Sequence, residues 1–352
     1  NLVISADTVV AVDDEILGKP VDKEDARRMI SLLSGKVHQV YTGVTLSLKG
    51  KTKTFSEKTD VEFFALTEDE IEKIYESDEF FNMVEFDQLF LDFYNKNKKE
   101  FFPMNKLLVR ADDLGYSEAF NYGLARAVKS GIVRCVCVMP NMEWAEHGVN
   151  LLQGSDVIFT VHANICQGRP ITDPKLVPSL VDENGIFKDK SLYREAKEDF
   201  VVLEEVVMEV EAQYQRLVEL TGRKPFMVEA HAVPSANFNK ALAIVGQKHG
   251  LTLMGFESGR GPRIGKYVMK FSMDSGNADY NPFESFKKAA LQPMEEDECA
   301  MMVLHPGYVD EYVLTTSYIT TARALEVAFA VNPEVPAWCE ANGVKLMTYA
   351  DL

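Results

Sequence analysis

Leu108-Val109-Arg110-Ala111-Asp112-Asp113 is a short apolar run that ends in two adjacent carboxylates, and three later segments repeat its form. Ile158-Phe159-Thr160-Val161-His162, Phe226-Met227-Val228-Glu229-Ala230-His231 and Met301-Met302-Val303-Leu304-His305 each run apolar into a histidine. Such runs read as strands, and Val133 to Met139 and Val344 to Met347 extend the series. Between them fall helix-like segments. One spans Glu118 to Lys129 and is closed by Gly131; a long one runs from about Tyr193 to Leu220, with Gly222 as its C-cap signal. Strands separated by helices pair mostly in parallel, so the fold class is α/β and the architecture a (β/α) barrel. In a barrel the carboxyl ends of the strands converge on one face. Groups far apart in sequence then meet in one site.

The converging groups carry a recognisable chemistry. A mixed set of carboxylate oxygen and imidazole nitrogen suits a divalent metal ion, zinc or magnesium, and fewer than four protein ligands leaves a position for water. Water activated in that way attacks an ester or amide carbonyl near neutral pH. Asp112 and Asp113, if both extended, point to opposite sides of the strand, so one holds the metal while the other takes a proton from the water. A lone strand-end histidine is usually a structural residue. Three of them beside an Asp-Asp pair would each have to be structural independently, and the site is the simpler account. His249 precedes Gly250 at a helix end, where a cation suits the dipole; His147 reads as helical and exposed, and His38 belongs to an earlier unit, so these three are structural.

Composition narrows the partners. A formal net charge of −17 excludes a sequence-independent grip on nucleic acid or anionic lipid, since both need a basic surface. No apolar stretch approaches a membrane span, and no basic-then-apolar leader opens the chain, although a chain that begins at Asn1 is read as a fragment. Five cysteines without a CxxC pair make a poor disulfide framework and point to a reducing cytoplasm. Cys135 and Cys137 share one face of a strand as core residues.

At 352 residues the chain is expected to hold two units. Residues 1–80 alternate strand-like and helix-like pieces: a strand through Ala6 to Val10, a helix over Lys23 to Leu33, strands over Val40 to Leu48 and Thr52 to Phe64. Another helix starts at Thr67, with Glu70 closing a capping box. Residues 81–103, acidic and aromatic before Asn95-Lys96-Asn97-Lys98-Lys99, read as an amphipathic helix and linker. The barrel occupies 104–352.

Ala111-Asp112-Asp113-Leu114-Gly115 with Asn121, Val161-His162-Ala163-Asn164, Gly168-Arg169-Pro170, Val177-Pro178-Ser179-Leu180-Val181-Asp182 before Gly185-Ile186-Phe187, and His305-Pro306-Gly307-Tyr308 follow one another as in the YdjC-like family, which this region resembles. The resemblance implies a polysaccharide-deacetylase-like (β/α) barrel that removes N-acetyl groups from small carbohydrates of the chitooligosaccharide kind, using a bound divalent metal. It makes Asp113, His162 and His231 the metal ligands, Asp112 the base and His305 the proton donor to the leaving amine. Asn164 and Arg169, which lie in those matched segments, and Glu229, at the third strand end, are the expected substrate contacts. A homodimer is left open as the state of association. One departure is visible: the family's His-rich third strand end is reduced here to His231, within Glu229-Ala230-His231-Ala232-Val233-Pro234-Ser235.

The first unit is similar to the middle of Maf-type nucleoside triphosphate pyrophosphatases, through Ala6-Asp7-Thr8-Val9-Val10, Ile16-Leu17-Gly18-Lys19-Pro20, Leu33-Ser34-Gly35 and Tyr41-Thr42-Gly43-Val44. That resemblance implies that Asp7 helps hold magnesium or serves as a base and that Lys19 faces phosphates. The family's opening Ser-x-Arg-Arg stretch and its closing motifs are missing, so this unit is expected to be silent. Two other readings compete with the deacetylase: a pyrophosphatase with the barrel as accessory, and a carbohydrate-binding pseudoenzyme.

Overall fold

The computed structural model describes residues 3–48, 51–75, 105–277 and 279–352. The chain divides into two compact units, Asn1–Phe102 and Pro103–Leu352. The helix and linker expected at 81–103 lie outside the described residues. No helix among the described residues is long and apolar enough to cross a membrane.

In the first unit, β1 (Val3–Val12), β2 (Glu15–Leu17), β3 (Val37–Leu48) and β4 (Lys51–Glu62) form an antiparallel sheet in the order β2-β1-β3-β4. Asp13 and Asp14 join the first two strands with φ of 47° and 65°, the left-handed pair that a two-residue hairpin demands and that Asp tolerates. Helix Lys23–Leu33 buries Ala26, Met29, Ile30 and Leu33, a 3-4 spacing that makes one apolar face, and Asp22 caps it by accepting from the Asp25 amide. Helix Glu68–Tyr75 opens with the expected capping box: the Thr67 amide donates to Glu70 and the Glu70 amide to the Thr67 hydroxyl.

The second unit is built on β5 (Asn105–Leu114), β6 (Cys135–Val138), β7 (Ile158–Ala163), β8 (Val228–Ala230), β9 (Met254–Glu257), β10 (Gly261–Ile264), β11 (Tyr267–Ser272), β12 (Glu298–Leu304) and β13 (Val344–Met347). Their order is β8-β7-β6-β5-β12-β11-β10-β9, with β13 beside the first half of β5. All pairs from β8 across to β11 are parallel, as the alternation of strands and helices predicts. Regular alternation stops at β9, β10 and β11, an antiparallel meander, and the barrel-like sheet is nearly closed, its path ending at β8 and β9.

Period-two alternation sorts each strand into two faces. Leu107, Val109 and Ala111 of β5, and Ala300, Met302 and Leu304 of β12, join the large core against the surrounding helices. Their neighbours Leu108, Met301 and Val303 turn into the barrel, where they pack with Cys135, Met227, Met269 and Tyr349. Cys135 therefore lies inside as expected. The long helix expected from Tyr193 to Leu220 is instead two, Lys190–Glu195 and Leu203–Thr221. Asp199 makes the break by accepting from the Val201 and Asn237 amides and the Ser235 hydroxyl, bonds that compete with a continuous helix. Gly222 ends the second helix at φ 64°, as its sequence position predicts.

Candidate active site

Above the apolar floor lies a polar layer made by the next inward-facing residues. Arg110 is buried and forks between two carboxylates, giving Nη2 to Asp112 Oδ2 at 2.7 Å and Nη1 to Glu229 Oε2 at 2.5 Å. Glu229 also accepts from the Cys137 thiol at 3.1 Å and the Thr160 hydroxyl at 3.2 Å. The Tyr349 hydroxyl meets Arg110 from below at 3.5 Å, its ring stacked on Phe226. A buried guanidinium between two carboxylates satisfies charges that would be prohibitive alone.

One step further along the strands stand Asp112, Asp113, His162, His231 and His305, and all five line one cavity of about 620 Å³. Asp112 and Asp113 do not point to opposite sides as an extended strand would require. Asp113 has φ 70°, and the β5–β6 register shifts between Ala111 and Leu114, so the strand bulges there. The bulge turns both carboxylates toward His162, whose Nε2 lies 3.9 Å from Asp112 Oδ2 and 3.5 Å from Asp113 Oδ1. Gly115, at φ 104°, completes the turn. A Cβ there would sit 3.0 Å from the Ala145 Cα and 3.1 Å from the Met139 carbonyl, and its amide donates to Asn121 Oδ1 at 2.8 Å.

Asp113, His162 and His231 each aim one ligand atom at a common point, the three atoms lying within 4.8 Å of one another. Asp113 Oδ1 and Asp112 Oδ1 are buried without a hydrogen-bond partner of good geometry. One carboxylate oxygen, itself buried and unpartnered, and two imidazole nitrogens are a donor set that fits a divalent cation. The electrostatics agree. Burial works to raise the Asp113 pKa, but the imidazole nitrogens of His162 and His231, 3.5 and 3.3 Å from its Oδ1, outweigh it and hold the carboxyl well below the usual range. For Asp112, burial is likewise outweighed, by Arg110, His162 and His305, and the net shift is downward. Burial lowers the His231 pKa, keeping a nitrogen lone pair available. At His162 burial pulls the same way, yet the facing carboxylates prevail and raise it.

His305 enters from the end of β12. Its amide donates to Glu326 Oε2 at 2.6 Å, and burial lowers the pKa of its ring, whose Nδ1 has no partner. The loop behind it is pressed close against helix Glu118–Lys129: a Cβ on Gly307 would fall 2.0 Å from the Phe120 ring. Sequence reasoning missed Arg323 and Glu326. Arg323 reaches Asp113 Oδ2 at 3.5 Å and stacks over Tyr116 and Phe120, while Glu326 is fully buried and also accepts from the Tyr280 hydroxyl at 2.9 Å. Their signal was legible: two charges three apart on the apolar helix Thr321–Ala330, where a buried face should carry none.

The expected substrate contacts are placed differently. Asn164 is wholly buried, its side chain donating to Asn141 Oδ1 and the Gln167 carbonyl and accepting from the Cys166 and Gln167 amides, so it organises a loop instead of facing the cavity. Glu229 reaches the cavity wall with its oxygens already engaged by Arg110, Cys137 and Thr160. Arg169 lines a neighbouring groove, its guanidinium turned to the Asn184 and Gly185 carbonyls. The other histidines are structural: His249 stacks on Tyr214 and bonds Glu211, His147 meets Asn121 and packs edge-on to Trp144, and His38 packs on Phe63. Asp7 and Lys19 of the first unit are both exposed.

A nearly closed α/β barrel with an Asp-His-His set at its strand ends defines the class, a metal-site hydrolase. The chain belongs to the YdjC-like family, whose model matches residues 106–341, and residues 1–84 match the model for Maf-like protein. Carbohydrate deacetylase 2 of Listeria innocua is 27% identical over 252 residues, spanning 70% of this chain and 98% of that protein. A solved structure from Enterococcus faecalis V583, described as that of a cellobiose-phosphate cleavage protein, shares the fold with a TM-score of 0.60 at 24% identity, over 70% of this chain and 98% of that one. The first unit is 60% identical over 77 residues to a dTTP/UTP pyrophosphatase of Agathobacter rectalis, and the match spans 20% of this chain and 38% of that enzyme.

Proposed function

We propose that the second unit is a metal-dependent hydrolase that removes N-acetyl groups from small carbohydrates. The convergence of Asp113, His162 and His231 on one point inside a cavity carries this reading. These three residues hold the metal, and the two imidazole nitrogens favour zinc over magnesium. When bound, the ion supplies Lewis acidity toward water and the acetyl carbonyl.

The chain's own groups do the rest. Asp112, kept ionised by Arg110, is the base: its free Oδ1 takes a proton while Oδ2 stays bonded to the guanidinium. His305, fixed through its amide by Glu326, delivers a proton to the nitrogen that leaves. Arg323 holds the second oxygen of Asp113 and so keeps Oδ1 turned to the histidines. Five buried thiols fit work in a reducing cytoplasm.

The test combines metal content with acetate release from N-acetylated mono- and disaccharides. About one metal ion per chain and release abolished by chelation are expected. A metal-free protein that still binds sugar would make the barrel a pseudoenzyme.

A further inference from the structure

His305 is held by its main chain. Among the described residues no hydrogen bond fixes its ring, whose Nδ1 is buried without a partner, while its amide donates to Glu326 Oε2 at 2.6 Å. Two residues on, the Gly307 amide donates to the Arg323 carbonyl at 3.3 Å, so one helix, Thr321–Ala330, holds both the strand end and the loop behind it. With the ring unbonded, the place of the imidazole follows the place of its backbone. Glu326 sets that place, and whatever fixes Glu326 matters equally.

Glu326 is wholly buried, and among the described residues it has no ion-pair partner. Arg323, three residues earlier on the same helix, gives its guanidinium to Asp113, the Ser317 hydroxyl and the Ile319 carbonyl. The other carboxylate oxygen, Oε1, accepts from the Tyr280 hydroxyl at 2.9 Å. Burial and the Glu326 carboxylate push the Tyr280 pKa up, so the phenol stays a donor. Without it Oε1 would be a buried acceptor with no donor, a costly state that the carboxylate relieves by turning, and the turn carries Oε2 away from His305.

Tyr280 follows the cavity wall in sequence. Met273, Ser275 and Gly276, just after β11, line the catalytic cavity with His305. The Asn277 amide then bonds the Asp274 carbonyl, and the Tyr280 amide bonds the Asn277 carbonyl. The wall that would meet the substrate is thus tied to the proton donor through two side chains, Tyr280 and Glu326.

Resting on the deacetylase reading above, we propose that Tyr280 is a positioning residue for proton donation: acting through Glu326, it fixes the backbone of His305, and with it the ring, at the nitrogen that leaves. In this role Tyr280 touches neither substrate nor metal. Its loss slows the step and loosens neither.

The test uses the zinc-loaded two-unit chain with isotope-labelled histidine. The sequence has six histidines, and His305→Ala identifies the amide signal that belongs to His305. Tyr280→Phe, which deletes only the hydroxyl, is expected to shift that signal and to leave those of His38, His147 and His249 in place. Glu326→Ala should shift it further, and Glu326→Gln, which still offers an oxygen to the amide, less. In kinetics with an N-acetylated disaccharide, Tyr280→Phe should lower kcat roughly tenfold with KM and metal content unchanged. A His305 amide unmoved in Tyr280→Phe, an unchanged kcat, or kcat, KM and metal content all altered together overturns the Tyr280 assignment, while acetate release by the wild type still upholds the deacetylase. If the amide moves as expected but the wild type releases acetate from no N-acetylated sugar, the deacetylase reading falls, and the assignment of Tyr280 to proton donation falls with it.

Discussion

Nδ1 of His231 stands 3.0 Å from Nε2 of His162, and both lie within 3.5 Å of the same oxygen, Oδ1 of Asp113. Two nitrogens and an anion crowded in this way are relieved by a cation among them. Replacing His162 or His231 by Ala should lower metal content and acetate release together. Asp112→Asn and His305→Ala should keep the metal and lose turnover by roughly two to four orders of magnitude. Metal per chain and acetate are measured side by side; loss of metal in His305→Ala would falsify this division of roles.

Arg110 is expected to matter for folding as much as for catalysis. Arg110→Met leaves Asp112 and Glu229 buried without their cation and should lower stability by roughly 3–5 kcal/mol. Adding Glu229→Gln removes one of the two stranded charges and should recover part of the loss, read as the urea midpoint. No recovery would mean that the guanidinium acts through packing alone.

Gly307 lets the loop after His305 lie against Phe120. Gly307→Ala must displace that ring or the loop, with a loss of roughly 1–3 kcal/mol. The His305 step should suffer more than metal binding, so turnover should drop with metal content unchanged.

Glu326 gives the fold a pH dependence. Burial raises its pKa from 4.5 to about 7, so between those values the folded protein holds a proton that the unfolded chain releases. Its contribution is fully present below pH 4.5 and is lost as pH rises through about 7, a change of roughly 3 kcal/mol. Metal-free Glu326→Gln should therefore show a shallower fall in stability over this range than the metal-free wild type. Equal slopes would sink the assignment.

Residues Pro103–Leu352 should fold without the first unit, because every group of the cavity and the core around it falls within them. A cooperative melt of that segment alone is the expected result.

Much of this was legible in the sequence because each strand end announces itself: an apolar run followed at once by Asp112-Asp113, His162, His231 or His305. Helix Lys23–Leu33 and the Thr67–Glu70 cap were equally plain, since local bonds and one apolar face determine them. The meander over β9, β10 and β11 was not. Met254-Gly255-Phe256-Glu257 and Gly261-Pro262-Arg263-Ile264 have little β propensity, and their pairing rests on tertiary contacts that include Arg263 with Glu257 and Asp297. The bulge at Asp113 was hidden for a different reason: Asp does not announce a positive φ as Gly does. Asn164 was legible as a motif residue, but a motif position alone does not separate holding a loop, as its bonds to Asn141 and Gln167 do, from touching a ligand.

All five cysteines lie in the second unit and all are buried. Burial lifts the thiols of Cys135, Cys166 and Cys299 to about 12 and that of Cys339 to about 11, so in the closed barrel they are almost entirely unreactive. The barrel therefore carries its own clock. The rate at which an alkylating reagent consumes thiols in the two-unit chain reports how often that unit opens, and the thiol-free first unit adds nothing to the reading.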